Sequence, residues 1–220
     1  MRRSRLNYLV ASTGPSVALQ ETFYGFIMAL IFVYAARFGL ISYDGPVQFA
    51  TIVICMNATW GAIDGFIFYF LGVCDQRRYA TLITDDSIDR SDRINELMDE
   101  MGGTPLDVLS DEDKRRVCEN MLGRSLQSEE AFHEDRRAMM KSSISCFIIT
   151  MLTVIPVVVP VLLIPDFRMA LTVASLLSTA VLFFVGYYMA KYIGMNRWIT
   201  GFTFVAISLG ISIISVFTGG

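Results

Sequence analysis

Residues 142–164 read SSISCFIITMLTVIPVVVPVLLI and contain no charged side chain. An apolar run of about 18 residues or more is long enough to cross the ~30 Å hydrocarbon core of a bilayer. Because the bilayer core offers no water to the backbone, such a run must be a helix or belong to a closed barrel. This run lacks the two-residue alternation of a barrel strand and therefore predicts a transmembrane helix.

Four further apolar blocks flank this stretch, and they cover about residues 17–36, 47–73, 169–190 and 198–217. With 54% hydrophobic residues and a mean hydropathy of +0.51, the chain is too apolar for an ordinary soluble domain. We predict an all-α membrane protein with five transmembrane helices and a three-helix cytoplasmic insert between helices 2 and 3. The predicted parts are membrane helices 1 and 2 (residues 1–74), the insert (75–141) and membrane helices 3 to 5 (142–220).

The distribution of Lys and Arg predicts the orientation. With the N-terminus inside, 16 of the 18 basic residues lie on the inner side, leaving only Arg37 and Arg168 outside. The positive-inside rule then places the N-terminus and the insert in the cytoplasm and the C-terminus outside. The first block resembles a secretory signal but has no clear cleavage site and is long enough to span, which favours a retained helix. A prokaryotic cytoplasmic membrane is the simplest location, with a vacuole-type membrane as the alternative.

The insert is acidic, with 17 acidic and 11 basic residues in segment 75–141. An acidic surface suits cations and does not suit nucleic acid or anionic lipid. The four cysteines form no CxxC pair and fall in the spans or the insert, which fits a reduced compartment rather than a disulfide framework: Cys55, Cys74, Cys118 and Cys146.

Two acidic residues, Glu21 and Asp64, fall within predicted spans. A carboxylate at membrane depth costs a few kcal/mol or more unless it is paired, protonated or hydrated. No Lys, Arg or His lies deep in any predicted span, so the missing cation is a transported ion or a proton. The alternatives are a protonated carboxyl bonded to a neighbouring helix or, for Glu21, a position at the membrane interface.

The neighbours of Asp64 predict that it faces a helix interface, since Gly61 and Gly65 flank it in a GxxxG pattern. Simple helix packing is the alternative role for that pattern. Asn57, about two turns earlier, offers a neutral oxygen on the same side. Met28 and Met56 offer soft thioether sulfur to a metal such as Fe²⁺ or Cu⁺, although most methionines in spans serve packing.

The third span contains Pro156 and Pro160, each of which removes a backbone donor and bends the helix. The pair predicts either a packed kink or a broken helix beside a permeation path.

Three helices are expected in the insert. The first covers Asp85 to about Met101, and the second opens at Ser110 and closes at Gly123. Ser110 and Asp113 form a capping box with Asp in place of Glu. The third begins at Ser128 and continues without a breaker into the third span.

Two acidic groups in the insert are candidate metal ligands. Residues at helical spacing form an acidic ridge on the first helix: Asp85, Asp89, Asp92, Glu96 and Glu100. The third helix adds Glu129, Glu130, His133, Glu134, Met139 and Met140. Glu129 and His133 are four residues apart, a spacing that can chelate a divalent ion, and carboxylates with one imidazole suit Fe²⁺, Mn²⁺ or Zn²⁺. The alternative is a solvated face whose acids pair with nearby arginines.

This layout resembles the vacuolar iron transporter family, from about Gln20 onward. The resemblance rests on five spans, an acid in span 1, a glycine-rich span 2 and an acidic insert before span 3. Local patches agree, namely Gly61-Ala62-Ile63, Ile155-Pro156 with Pro160, and a last span containing Gly and Ser.

The resemblance implies a homodimer in which the first spans of two subunits line a path for Fe²⁺ or Mn²⁺, exchanged for protons. Glu21 takes the place of the span 1 acid. The insert ligands implied are Glu96, Glu100, Glu129, Glu130 and Glu134 with Met139 or Met140. Two departures concern the ion: Glu21-Thr22 replaces an Asp-Gly motif, and the span 2 methionine position falls close to Asp64 or Gly65. A hard carboxylate there shifts preference away from Fe²⁺, toward Mn²⁺ or another divalent ion.

The predicted function is proton-coupled export of a divalent metal ion from the cytoplasm, with metal sites at Glu21, Asn57, Asp64 and the insert and no permanently bound cofactor. The expected partners are the lipid bilayer, a second copy, metal ions and protons, with no nucleic acid. The first alternative is a membrane protein that senses metal or docks a partner without transport. The second is an intramembrane enzyme using Glu21 and Asp64 as an acid dyad. It is disfavoured because the only histidine, His133, lies in the insert.

Overall fold

The structure is a computed structural model that describes residues 9–10, 12–122 and 129–218; the side chains of Thr84 and of residues 129–134 lie outside that description. Residues 9–10 and 12–13 are helical, and the α-helices that follow are α1 (Pro15–Arg37), α2 (Pro46–Thr84), α3 (Arg90–Asp99), α4 (Asp111–Leu122), α5 (Glu129–Leu152), α6 (Ile155–Leu163), α7 (Phe167–Ile193) and α8 (Arg197–Thr218). A short 3₁₀ helix, Pro105–Val108, precedes α4.

Five segments are long and apolar enough to cross a membrane: Pro15–Arg37, Pro46–Ile83, Asp135–Leu163, Phe167–Ile193 and Arg197–Thr218. This confirms the all-helical class and the five spans predicted from the sequence. The second helix continues to Thr84, beyond the predicted end of its span at Val73. Residues 74–84 read CDQRRYATLIT and contain neither Gly nor Pro, so the helix has no reason to stop where the hydrophobic block ends.

The third span is broken rather than gently kinked. Helix α5 ends at Leu152 and α6 begins at Ile155, with Pro156 in its first turn and Pro160 inside it. Proline is tolerated in the first turn because the N–H groups there have no intrahelical partner. Thr153 and Val154 therefore form a short interruption at the depth of the third span.

The chain divides into two compact units, Met1–Ile67 with Lys141–Gly220, and Phe68–Met140. In the first unit, which we call the membrane unit, the surface is apolar and the interior is partly polar. Ile214 and Phe202 are exposed, whereas Ser178, Ser208 and Ser212 are fully buried. This inverted distribution suits a lipid environment, where small and hydroxyl-bearing residues let helices approach closely.

Helices α7 and α8 show such an approach. A Cβ atom at Gly186 would lie 2.8 Å from the Phe204 ring, and one at Gly201 would lie 2.7 Å from the Phe183 ring. The turn between the helices has Gly194 in the left-handed conformation (φ 68°), and Asn196 accepts hydrogen bonds from the first N–H groups of α8.

The second unit, Phe68–Met140, has its own small core of Leu82, Ile94, Leu97, Met101 and Cys118. The N-cap predicted at Ser110 is confirmed, but the second bond differs from that of a capping box, since the Asp113 carboxylate accepts from the Ser110 hydroxyl and not from its backbone N–H. The Asp113 backbone N–H donates to Ser110 Oγ (3.2 Å), and the Ser110 hydroxyl donates to the Asp113 carboxylate (2.8 Å). The first predicted helix of the insert, α3, begins at Arg90 rather than at Asp85, because the residues before it form a turn.

The third predicted helix of the insert is represented by α5, which runs as one helix from Glu129 to Leu152. Its predicted cap, Ser128, and the predicted stop at Gly123 lie outside the described residues.

Candidate functional site

Glu21 lies in the second turn of α1 and is fully buried. The hydroxyl of Thr150, near the end of α5, donates a 2.5 Å hydrogen bond to its Oε2 atom. The other carboxyl oxygen, Oε1, is buried without a hydrogen-bond partner among the described residues. Since no described salt bridge involves Glu21 either, the carboxyl group has spare capacity to bind a cation or a proton.

A second buried group, the Asn57 side chain, meets the break in the third span. The Asn57 amide nitrogen donates to the Gly25 carbonyl (3.0 Å) and to the Thr153 hydroxyl (3.2 Å). Thr153 in turn donates to the backbone carbonyl of Thr150 (2.6 Å). The Asn57 Oδ1 atom has no partner among the described residues. Helices α1, α2 and α5 therefore meet in a buried polar cluster with two unpartnered oxygen atoms.

Gly25 sets the separation between α1 and the break. A Cβ atom at this position would overlap the Thr153 hydroxyl. The cluster can form only because the α1 backbone comes this close, which also brings the Gly25 carbonyl within reach of Asn57.

Asp64 lies apart from this cluster, on the wall of a groove between α1 and α2 with a volume of about 370 Å³. The same groove is lined by both methionines singled out from the sequence, Met28 and Met56, and by Tyr24 and Trp60. A carboxylate with two thioethers offers both hard and soft donors to a divalent ion.

The glycines of α2 explain how Asp64 is placed. Gly61 faces Phe147 and Thr150 of α5, and Gly65 faces Ser143, whose hydroxyl donates to the Gly65 carbonyl (2.5 Å). The two glycines therefore pack against α5, whereas the prediction from the sequence placed Asp64 itself at a helix interface. Asp64 sits at the edge of this interface, half-buried, and lines the groove. Asn57 points into the polar cluster rather than into the groove.

Glu96 and Glu100, the predicted ligands on α3, are held by α2. Arg78 forms salt bridges with Glu96 (3.0 Å) and Glu100 (2.7 Å), and the Tyr79 hydroxyl donates to Glu100 (3.1 Å). All of these contacts lie within the second unit. A metal ion that uses both carboxylates must displace Arg78.

Two other acids of the ridge, Asp85 and Asp89, have local partners. Hydrogen bonds from Ser87 hold the pKa of Asp85 below its ordinary value, and the Ser91 hydroxyl does the same for Asp89. Within the described part of the chain, no group of three or more His, Cys, Asp or Glu side chains is arranged to hold a metal ion.

The predicted ligands on α5 are only partly described. Met139 is half-buried beside Gly72 of α2, where its sulfur would lie 3.2 Å from an added Cβ atom, and Met140 is exposed. The side chains of Glu129, Glu130, His133 and Glu134 lie outside the described residues, although their backbone forms the start of α5.

Sequence reasoning missed the two threonines that organise the buried cluster. Thr150 and Thr153 are three residues apart in Ile-Thr-Met-Leu-Thr-Val-Ile-Pro, just before the first proline of the span. Hydroxyl residues ahead of a proline in a span often bond freed backbone groups, and that signal was available.

Comparison with known protein families finds a match for this chain. The family model described as the VIT family matches residues 76–220, which extend from the last part of α2 to the C-terminus. Glu21, Asn57 and Asp64 all lie before the matched residues, so their roles must be argued from the structure. No curated protein sequence matches the chain.

Proposed function

The chain belongs to the VIT family, the family of metal-ion transporters that its sequence resembles. We propose that it exports a divalent metal ion from the cytoplasm in exchange for protons. The observation that carries the proposal is the state of Glu21. It is a fully buried carboxyl group in an apolar span, with one oxygen bonded to Thr150 and the other unpartnered. A permanently ionised group in this position would be costly, and in the proposed cycle Glu21 alternates between a proton and a metal ion.

The Thr150 hydroxyl suits such an exchange. It has a single proton and lies within hydrogen-bond distance of two acceptors, the Glu21 carboxyl (2.5 Å) and the Cys146 carbonyl (3.1 Å). When Glu21 is ionised, Thr150 donates to it. When Glu21 is protonated, it can donate to Thr150, which then donates to Cys146. Both protonation states keep a hydrogen bond without moving a helix.

The groove between α1 and α2 is the second site on the proposed ion path, after Glu21. Asp64, Met28 and Met56 all line it, so an ion moving along the groove would pass one carboxylate and two thioethers. Thioethers favour Fe²⁺ over harder ions, whereas the carboxylate accepts Mn²⁺ as well. We propose Fe²⁺ or Mn²⁺ as the substrate, transferred between Asp64 and the buried cluster at Glu21 and Asn57.

A homodimer is part of the proposal. The groove opens on the outer face of α1 and α2, where Tyr24 and Trp60 are about half exposed (49% and 45%). A second copy packed against this face would enclose the groove and shield a passing ion from lipid.

The insert would collect metal on the cytoplasmic side through Glu96 and Glu100, with further ligands from Glu129, Glu130, His133, Glu134, Met139 and Met140. In this scheme the ion competes with Arg78 for the two α3 carboxylates. Capture is thereby coupled to breaking an ion pair, which keeps the ligands from binding metal too tightly for release.

The experiment that tests the proposal is uptake of Fe²⁺, Mn²⁺, Co²⁺ and Zn²⁺ into proteoliposomes, with and without a pH gradient. Flux of one or two of these ions that depends on the gradient is the expected result. Absence of flux for every ion, with metal still bound by the protein, would favour a sensing or docking protein instead.

A further inference from the structure

The two basic residues that depart from the positive-inside distribution, Arg37 and Arg168, line one cavity in the membrane unit. The first ends α1 and the second lies in the first turn of α7, so the chain brings them together from distant parts of the sequence. The cavity has a volume of about 640 Å³ and lies where these spans end.

Neither guanidinium group has a carboxylate partner within the described part of the chain. The two acids at this end of the unit, Asp44 and Asp166, are exposed and do not line the cavity. Asp166 is engaged as the N-cap of α7, where it accepts a hydrogen bond from the Met169 N–H (3.0 Å). The cavity therefore carries an excess of positive charge.

The positions of the two arginines differ in a way that points to a ligand. Arg37 is fixed, because its Nη1 atom donates to the buried hydroxyl of Ser175 (3.2 Å), and its remaining donors stay available. Arg168 lies in the first turn of a long helix, where the helix dipole disfavours a cation. Arg168 is therefore placed at a cost, and it lines the same cavity as a second cation, Arg37. Two cations gathered at one cavity in this way are expected of an anion-binding site.

We propose that this cavity binds an anionic phosphate group. Arginine presents planar, forked donors that match the oxygen atoms of phosphate. The aromatic rings of Phe38, Tyr43 and Phe167 also line the cavity, and aromatic rings at the ends of spans lie at the level of lipid headgroups. The phosphate belongs either to a lipid headgroup or to free inorganic phosphate, and the two sources are separated below.

The test uses the purified full chain in neutral detergent. Native mass spectrometry measures retention of phosphatidylglycerol against phosphatidylcholine, and thermal unfolding is compared in sodium phosphate and in sodium chloride of equal ionic strength. The variants are Arg168→Gln, whose exposed side chain carries no described hydrogen bond, and Arg37→Gln with Arg168→Gln. The control is Lys191→Gln, an exposed cation at the other end of α7.

Retention of phosphatidylglycerol that falls roughly tenfold in both Arg variants, as expected from loss of a charge-assisted hydrogen bond, identifies a lipid headgroup. Stabilisation by inorganic phosphate that disappears in the same variants, without a lipid preference, identifies free phosphate. If all four proteins retain phosphatidylglycerol equally and phosphate stabilises none of them, the arginines only reach the membrane surface and the proposal is wrong.

Discussion

The hydroxyl of Thr150 donates a 2.5 Å hydrogen bond to the buried carboxyl group of Glu21, joining the first span to the third just before its break. This bond is the sole one to Glu21 among the described side chains, and it leaves Oε1 unpartnered. Packing alone gives no reason to bury a carboxyl group with an unpartnered oxygen atom, whereas the proposed binding of a cation or a proton by Glu21 gives one.

Replacing Thr150 with Val removes the hydroxyl and nearly preserves the shape. Glu21 then has no partner for either oxygen, so we expect a loss of about 1–3 kcal/mol in the free energy of unfolding. Thermal or denaturant unfolding in detergent measures it. Thr59→Val is the matched control, because the exposed Thr59 hydroxyl bonds only to the Cys55 carbonyl of its own helix. Equal losses in the two variants would contradict the role assigned to the Glu21 contact.

Replacing Gly25 with Ala places a methyl group where the Thr153 hydroxyl lies. Overpacking of this kind typically costs about 1–3 kcal/mol, and here it also pushes Asn57 away from the break. Gly210→Ala is the control, since a Cβ atom at that position in α8 meets nothing within 4 Å. We expect a lower unfolding midpoint and reduced flux for Gly25→Ala and no change for Gly210→Ala. An unchanged midpoint in Gly25→Ala would show that α1 can shift to accept the methyl group.

Substituting both groove methionines, Met28→Leu with Met56→Leu, keeps the volume but removes the thioethers. Flux of Fe²⁺ should fall relative to that of Mn²⁺, because only the softer ion gains from sulfur. Asp64→Asn should abolish flux of both ions while leaving assembly of the proposed dimer intact. Met169→Leu, an exposed position at the start of α7, controls for loss of any methionine. A constant Fe²⁺ to Mn²⁺ ratio in the double variant would exclude the methionines as ligands.

Replacing Arg78 with Gln frees Glu96 and Glu100. Calorimetric titration with Mn²⁺ should then show an affinity roughly two- to fivefold higher, the scale expected of exposed ion pairs. Arg116→Gln breaks a different exposed pair, with Glu112, and should change nothing. Weaker Mn²⁺ binding after the Arg78 substitution would mean that this arginine supports the site.

Asp107 offers a pH-dependent contact within the second unit. A hydrogen bond from Lys114 (2.8 Å) and the Gly103 N–H hold its pKa below the ordinary carboxyl value. A carboxyl group with a depressed pKa contributes stability above its unfolded pKa and loses that contribution as the pH falls through the folded pKa. Carboxyl NMR titration should show the Asp107 pKa rising toward its ordinary value in Lys114→Ala. An unchanged titration would mean that Lys114 is not its main partner in solution.

The sequence predicts the spans well because the hydrophobic blocks leave no other fold for the chain in a membrane. It predicts the end of α2 poorly. The hydrophobic block ends at Val73, whereas the helix continues to Thr84, because no Gly or Pro interrupts residues 74–84. The N-cap at Ser110 was predictable because it depends on residues three apart, and such local signals do not require knowledge of the fold.

The contacts within the site were less predictable. That Glu21 is buried follows from its position in an apolar block, but its bond to Thr150 depends on how two distant helices are rotated. The same holds for the pairing of Glu96 and Glu100 with Arg78, which the ridge pattern alone could not reveal. The convergence of Arg37 and Arg168 likewise needs the fold.

The most direct test of the central claim is metal uptake into proteoliposomes by Glu21→Gln beside the parent chain, under the ion and pH gradient that give the parent its highest flux. Gln preserves the size of the side chain and its hydrogen bond with Thr150 but cannot carry a charge or release a proton at neutral pH. The account predicts that the folded variant loses flux almost completely. Flux equal to that of the parent chain would show that the ion passes without Glu21 and would contradict the account.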